Sequence, residues 1–514
     1  MSAKTADIVT IAVVVLLSLA ILANSMSKPI GRDEQMYCTA GVLTAQGKMV
    51  YRDFSYAAQL PYHPLLYAAV YRVTGTSYYL LAGRMISVVC DVLIMVCIIG
   101  IYRQVFRDAH LCGSLFGLAA LALYLFNPLV DYANGYAWNH DVVILCVVAA
   151  SWLYLACEQG RCGWWSWKIA VMGALLTFAS CMRITTVLAQ AVFFAMLLSG
   201  PAKSLKERCG RLLPFLVATA LVLIWPIWVI LQAPQAFYLN IVKIPQLYGR
   251  WLADRGMVFD KLELTAACLR TPAYLALLAF GAYLGLAVLF LRGRIEFSNW
   301  RCAVLGGLLA VIFFVIAWIP PTMWRQYLAM PVPFIVIALA LPLRYLRKLG
   351  TSVPARWCFK VGCLLAGMCV FAAVASNPVV LQKAPLALVP EHWVPVAKHK
   401  IAEQIAPKVP EPKKVLTLAP LLALEGRCSI YTELAAGSII YRIGDLLTAR
   451  QRALTHTVGP SGIKKLVETC PASAVVVGVE APHMAFLEKP LAAAVASDWR
   501  REVCVDGTVV FVRP

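Results

Sequence analysis

Three carboxylates stand near the start of the chain: Asp33 and Glu34 in Pro29-Ile-Gly-Arg-Asp-Glu-Gln-Met-Tyr, and Asp53 in Tyr51-Arg-Asp-Phe-Ser-Tyr. Gly41 and Gly47 lie between them, and the aromatic run Gln59-Leu-Pro-Tyr-His-Pro-Leu-Leu-Tyr follows. Carboxylates in a cleft can take a proton from a weak nucleophile, ligate a metal, or pair with cations. Arg32 and Arg52 flank them, so a solvated loop of ion pairs is the plain reading of this stretch taken alone. Arg183, in Ala-Ser-Cys-Met-Arg-Ile-Thr, and Arg325, in Trp-Arg-Gln-Tyr-Leu-Ala-Met-Pro-Val-Pro, carry planar guanidinium groups. A guanidinium matches phosphate oxygens two at a time. An arginine at a helix end can also simply reach for lipid headgroups. Arg84 and Asp91 fall inside an apolar run, where a charge is costly unless it faces protein or a cavity. Asn139-His140-Asp141 stands at a helix start, where capping is the expected role.

These residues are set among long apolar segments. The 514 residues are 61% hydrophobic and 14% charged, against about 45–50% apolar and about 25% charged in soluble proteins. Such an excess must face lipid. A span needs about 20 apolar residues, which predicts helices near 8–25, 78–102, 111–130, 140–157, 212–231, 271–291, 303–319, 328–345 and 360–376. The first run, Ile8 to Ala23, lacks a convincing small-residue cleavage site and reads as a retained helix. The longer stretch 169–199, interrupted by Cys181, Met182 and Arg183, is one overlong helix or a hairpin.

Charge chooses between the two. Basic residues cluster at Arg103 and Arg107; Arg161 and Lys168; Lys203, Lys206, Arg208 and Arg211; Arg292, Arg294 and Arg301; and Arg344, Arg347, Lys348, Arg356 and Lys360. A hairpin with Arg183 at its tip puts every cluster on the cytoplasmic side, as the positive-inside rule requires. The expectation is therefore an α-helical polytopic membrane protein of about eleven helices. The other side receives the first loop, 28–77, short turns at 131–139 and 320–327, and the loop 232–270. In that last loop the aromatic stretch Tyr238 to Trp251, with Lys243 and Arg250, reads as a lid or an interfacial belt. The net charge of +20 is accounted for by the loop clusters, and a nucleic-acid partner is not expected.

Residues 377–412 are proline-rich and read as a linker. From 413 to 514 the period changes: Lys414-Val-Leu-Thr-Leu, Ala474-Val-Val-Val-Gly and Gly507-Thr-Val-Val-Phe-Val read as strands, with helical segments near 461–469 and 484–497. A small C-terminal α/β domain on the extracytoplasmic side is expected. The seventeen cysteines mostly sit in apolar runs as small hydrophobes. A disulfide among Cys428, Cys470 and Cys504 is open, since sequence cannot choose a pair.

The order of motifs in 8–376 resembles the GT-C membrane glycosyltransferases, in the bacterial branch related to protein O-mannosyltransferases and to the lipid A aminoarabinose transferase. Asp33-Glu34 after the first helix, Gly41 and Gly47, Tyr51-Arg52-Asp53, and Pro61 to Tyr67 fill the family's first outer loop in order. Arg183 stands where the family has a basic residue, and Trp324-Arg325-Gln326-Tyr327 resembles the entry to its late helix. The aminoarabinose branch's Lys-Pro-Pro step is absent, so that sugar is not implied. The C-terminal domain lacks β-trefoil character, which weakens the case for a protein acceptor.

The resemblance implies a polyprenyl-phosphate-linked sugar as donor and an extracytoplasmic glycan, glycolipid or protein hydroxyl as acceptor. It implies Asp33 as base, with Glu34 or Asp53 orienting it or binding acceptor. Arg183 and Arg325 would hold the donor phosphate within one cavity, with Tyr327, Arg84, Tyr51 and Arg52 as further binding residues. No metal ligands are assigned, and the need for a divalent metal is left open. The rivals are a transporter or flippase, which would show inverted repeats and broken midplane helices, and a membrane scaffold that binds a partner through its C-terminal domain.

Overall fold

The computed structural model describes residues 3–160, 166–200, 204–291, 300–349, 352–504 and 507–514. Arg161, Lys203, Arg292 and Arg294 of the basic clusters lie outside the described residues. Among the described residues, seven helices are long and apolar enough to cross a membrane: Lys4–Ser27, Tyr79–Val105, His140–Glu158, Cys209–Gln232, Pro272–Phe290, Arg325–Lys348 and Val353–Ser376. Of five shorter apolar helices among the described residues, His110–Leu125, Trp167–Ser180, Ile184–Leu198 and Ala303–Trp318 lie between these, and Val379–Leu388 follows the last. Together they supply the bundle expected from the apolar runs.

The stretch 169–199 is a hairpin. Trp167–Ser180 ends at Cys181, Arg183 has an extended backbone, and Val187–Leu198 returns. Its tip meets the first loop: the Leu60 and Tyr62 amides donate to the Met182 and Cys181 carbonyls. At the opposite end Arg301 reaches the Met196 carbonyl and Glu158. There too Arg103 pairs with Asp7, and Arg344 and Arg347 approach Asp108. The basic residues named in these pairs therefore gather at one end of the bundle. The first loop and hairpin tip occupy the other, termed the outer end here.

The first loop folds into two helices, Arg32–Ala45 and Tyr62–Thr74. They touch closely at Gly41, where a Cβ would stand 2.6 Å from that of Tyr67. Gly47, at φ +89°, turns the chain out of the first of them. This loop does not stand alone. Its Met36, Tyr37, Val42 and Leu43 share one apolar core with Val229 and Trp251, and with Leu416, Leu434 and Val475 of the C-terminal domain. The membrane helices have a separate core.

The C-terminal domain carries a five-stranded sheet in the order β2-β1-β3-β5-β4, with β1 Lys414–Thr417, β2 Ser429–Ile430, β3 Ala474–Val477, β4 Arg500–Val503 and β5 Val509–Val512. β1 runs parallel to β2 and β3, while β5 runs antiparallel to β3 and β4. Cys428 and Cys470 are free thiols. The proline-rich stretch before the sheet is short helical turns and the helix Val394–Ile405, not an extended connector. Pro390 and Pro395 stand in the first turns of their helices, where a missing N–H costs nothing. His399 of that helix stacks on Tyr78 with ring centres 3.6 Å apart.

Polar contacts fix the same interface. Arg32 Nε lies 3.0 Å from Glu480. The Leu421 amide donates to Gln35 Oε1 at 3.2 Å, and the Leu80 amide to Glu425 Oε1 at 2.8 Å. Loop and domain thus form one packed cap on the outer end of the bundle.

Candidate active site

Asp33 and Glu34 open the helix Arg32–Ala45, where carboxylates favour the positive end of the helix dipole. Glu34 turns inward and is wholly buried. It accepts hydrogen bonds from the Gly31 amide at 2.8 Å, the Ala137 amide at 2.8 Å, and Arg84 through Nε at 2.9 Å and Nη2 at 2.8 Å. Arg84 also donates to the Ser25, Lys28 and Pro29 carbonyls, at 2.7, 2.8 and 3.1 Å. Lys28 in turn donates to the Asp131, Tyr132 and Asn134 carbonyls. One arginine and one lysine therefore pin the end of the first membrane helix to the second helix and to the turn before the fourth.

Asp33 faces the other way, into a cavity of about 430 Å³ at the outer end. Tyr37, Gln59, Arg183, Tyr248 and Tyr327 share its lining. Burial pushes the Asp33 carboxyl above the usual range, and the positive charges of Arg442, Arg32 and Arg183 pull it back. Arg183 projects from the hairpin tip. Its guanidinium sits 4.9 Å over the Tyr327 ring, and Nη1 stands 3.1 Å from the Met330 sulfur. A ring face and a thioether are weak partners, so the cation keeps its capacity to bind an anion. The arrangement can hold a carboxylate base and a phosphate-binding cation over one reacting centre.

The other expected site residues are distributed differently. Tyr327 lines the cavity, and Arg325 does not, although its neighbours Trp324, Gln326 and Tyr327 do. Arg325 opens the tight turn Arg325–Leu328 and its side chain is exposed. The expected meeting of Arg183 and Arg325 inside the cavity is not what the geometry gives. Glu34 and Arg84 are likewise absent from the lining, because their polar groups are used on each other and on backbone. Asp53 chelates Arg52 at 2.8 Å and accepts the Met49 amide at 2.7 Å on the exterior. Arg52 holds Asp53 below the usual carboxylate range. Tyr51 is buried at φ +67° and donates to the Gln59 carbonyl at 2.5 Å. It shapes the cavity wall from behind without touching the cavity.

Several lining residues were not singled out as site residues in the sequence. Gln59 comes from the first loop, and Tyr248 from the stretch Tyr238 to Trp251, which reads equally as lid or belt. His140 also lines the cavity, and Asn139 donates to Gln59 Oε1 at 2.6 Å and the Met182 carbonyl at 3.3 Å instead of capping the helix. Ile439 enters from the C-terminal domain. Beside it Arg442 is held by the Ser438 carbonyl and hydroxyl and lies 5.4 and 5.3 Å over the Tyr248 and Trp251 rings. Among the described residues no group of three or more His, Cys, Asp or Glu side chains could hold a metal ion.

In sequence, the chain matches no protein-family model and no curated protein. In structure it is similar to ArnT from Cupriavidus metallidurans in the apo state, with a TM-score of 0.63 and 15% identity over 99% of this chain and 98% of that one. The same protein bound to undecaprenyl phosphate gives 0.62 at 14% identity, with the same coverage. The archaeal oligosaccharyltransferase AglB from Archaeoglobus fulgidus, in complex with an inhibitory peptide and a dolichol-phosphate, gives 0.51 at 12% identity over 98% of this chain and 74% of that one. The apolar bundle and these neighbours make the chain an integral membrane protein with an ArnT-like GT-C fold.

Proposed function

We propose that the chain is a membrane glycosyltransferase that moves a sugar from a polyprenyl-phosphate donor to a hydroxyl of an extracytoplasmic glycan, glycolipid or protein. The observation that carries this reading is one cavity at the outer end lined by both Asp33 and Arg183. The fold neighbours support it: ArnT is a lipid A aminoarabinose transferase with a structure bound to undecaprenyl phosphate, and AglB has one with a dolichol-phosphate. A transporter or flippase is not favoured by these neighbours.

In this reading Asp33 accepts the proton of the acceptor hydroxyl as its oxygen bonds to the anomeric carbon. The bond from that carbon to the phosphate oxygen breaks, and its electron pair leaves on the polyprenyl phosphate. Arg183, steadied on Tyr327, stabilises that growing charge. A single displacement inverts the anomeric centre. Glu34 and Arg84 position the helix that presents Asp33. Arg325, exposed beside the cavity, meets the donor phosphate on its approach. The basic end faces the cytoplasm, and the cavity and C-terminal domain face the periplasm of a bacterial inner membrane.

Lipid-linked sugars extracted from cells with and without the gene test the reading. A polyprenyl-phosphate sugar should accumulate on deletion, and wild-type protein but not Asp33→Asn should clear it. Unchanged lipid-linked sugars in the deletion, or full clearance by Asp33→Asn, would overturn it.

A further inference from the structure

Asp91, within the membrane helix Tyr79–Val105, has no part in the chemistry above, and a carboxylate at that depth needs a partner. It lines a second, small cavity of about 20 Å³, which is room for one water-sized body. Asn24 of the first membrane helix shares the lining, with Asp131, Asn134 and Gly135 of the segment before His140. The rest of the wall is apolar, from side chains such as Leu17, Ile21 and Leu125. Asn24, Asp91 and Asn134 are 7%, 0% and 6% exposed.

Hydrogen bonds hold these groups together and fix how they face. The Asn134 carboxamide donates to Asp91 Oδ1 at 2.6 Å and to the Tyr124 hydroxyl at 2.9 Å. The Asn24 carboxamide donates to the Asp131 carbonyl at 3.1 Å. Carboxylate and carbonyl oxygens only accept, so each amide nitrogen is committed there and each amide oxygen is left over. Asn24 Oδ1, Asn134 Oδ1 and Asp91 Oδ2 are buried with no hydrogen-bond partner among the described residues. The Asp131, Asn134 and Gly135 backbone amides are spent on the Asn127 and Val130 carbonyls and on Asp141. The polar part of this wall therefore offers acceptors only.

A water would bring two protons to three acceptors and no charge to the carboxylate. The positive charge nearby is already shared out. Lys28 donates to the Asp131, Tyr132 and Asn134 carbonyls and stands in the field of Asp131, Asp141 and Asp91. Arg84 is paired with Glu34. Oxygen ligands suit hard cations, and one carboxylate with two carboxamides balances a single charge. We propose that Asn24, Asp91 and Asn134 form a binding site for one monovalent cation of the sodium class. The segment that closes this site also presents Tyr132 and Tyr136 to the large cavity, so the bound ion braces that wall. The site stands independently of the donor reading above.

Binding of radiolabelled Na⁺ to the full chain in nanodiscs, at mildly alkaline pH, tests it. Binding should saturate at one ion per chain and resist competition by choline, which is too large for the cavity. Asp91→Asn removes the charge and lets an N–H face the other oxygens, and Asn24→Leu removes a ligand. Each should weaken binding about tenfold or more, as loss of metal-site groups does. Wild-type protein should also unfold at a higher temperature in sodium than in choline at equal ionic strength, and Asp91→Asn at the same temperature in both. No saturable binding by wild-type protein overturns the site even if neither variant folds, and leaves a proton on Asp91 or a water to match the oxygens. Binding that is lost in Asp33→Asn and kept in Asp91→Asn would put the ion in the large cavity, and overturns the site as well.

Discussion

Glu34 and Arg84 form an arginine–carboxylate pair in which the carboxylate oxygens and the guanidinium are matched inside the chain, 2.8 Å apart and wholly buried. A few ångströms of helix away, Asp33 and Arg183 face a common cavity, and among the described residues the guanidinium of Arg183 contacts a tyrosine ring and a methionine sulfur. The two sets use the same residue types at the same end of the bundle. One is closed and holds the loop in place; the other is open and keeps its charges for a ligand. Burial alone does not mark a functional charge. A buried charge with its hydrogen bonds complete is a fixture, whereas one left facing a cavity has work to do on something absent from the chain.

Exchanging single oxygens for amides separates the two roles. Asp33→Asn should lower transfer by about 10²–10⁴-fold, the usual loss for a general base, with little change in thermal stability. Glu34→Gln should do the reverse in kind: it breaks a buried pair and leaves Arg84 uncompensated, at about 3–5 kcal/mol of stability. Thermal unfolding in detergent and transfer by the surviving folded fraction distinguish them. If Glu34→Gln folds normally and is inactive, the division between closed and open charges is wrong.

A smaller change at the open set sharpens the comparison. Arg183→Lys keeps the charge and loses the forked geometry. Losing one charge-assisted hydrogen bond, about 1.5–3 kcal/mol, should weaken donor use by about 10- to 100-fold. The same exchange at Arg325 should cost less, since that side chain is exposed. Equal losses at both positions would restore the shared phosphate clamp that the sequence suggested.

Much of this frame was legible in the sequence. Apolar runs of membrane length predict the bundle because an uncovered backbone is not tolerated in lipid. The basic clusters select the hairpin at 169–199, and the hairpin delivers Arg183 to the outer end. The acidic loop was found by composition. Which of Asp33 and Glu34 faces the cavity was not legible, because adjacent helical residues point about 100° apart and either can turn inward. The answer depended on Arg84, fifty positions away on another helix. Arg325 misled for a similar reason, since one residue of turn separates it from the lining residue Gln326. The stretch 377–412 looked like a linker because proline opens helices as readily as it breaks them.

Acidity tests how far the C-terminal domain takes part. Asp33 must be ionised to act as base, and burial holds its pKa above the ordinary carboxylate value while Arg442, Arg32 and Arg183 hold it down. Transfer should therefore fall as pH drops through that raised pKa, at higher pH than a free Asp would give. Arg442→Met removes the largest of the opposing charges. The acid limb of the pH–rate profile should then move to higher pH, with the alkaline side unchanged. A limb that stays in place would confine the domain's part to packing.

The smallest effect is expected at Tyr51-Arg52-Asp53, one of the first-loop stretches that resemble the family. Asp53 and Arg52 satisfy each other on the exterior, outside the cavity lining. Exposed pairs of this kind contribute little to stability because water screens them and two long side chains lose freedom. Asp53 also accepts the Met49 amide, which fixes the turn that leads to Tyr51, and Tyr51 in turn holds the Gln59 carbonyl at the cavity wall. Asp53→Asn keeps an acceptor for that amide while removing the charge. It should transfer sugar at close to the wild-type rate and unfold at close to the wild-type temperature. Asp53→Ala, which removes the acceptor as well, should lower transfer by a few-fold at most through the displaced turn. A loss from Asp53→Asn as deep as that from Asp33→Asn would mean that this carboxylate swings into the cavity when substrate binds, and that the open set includes a residue the resting structure keeps outside.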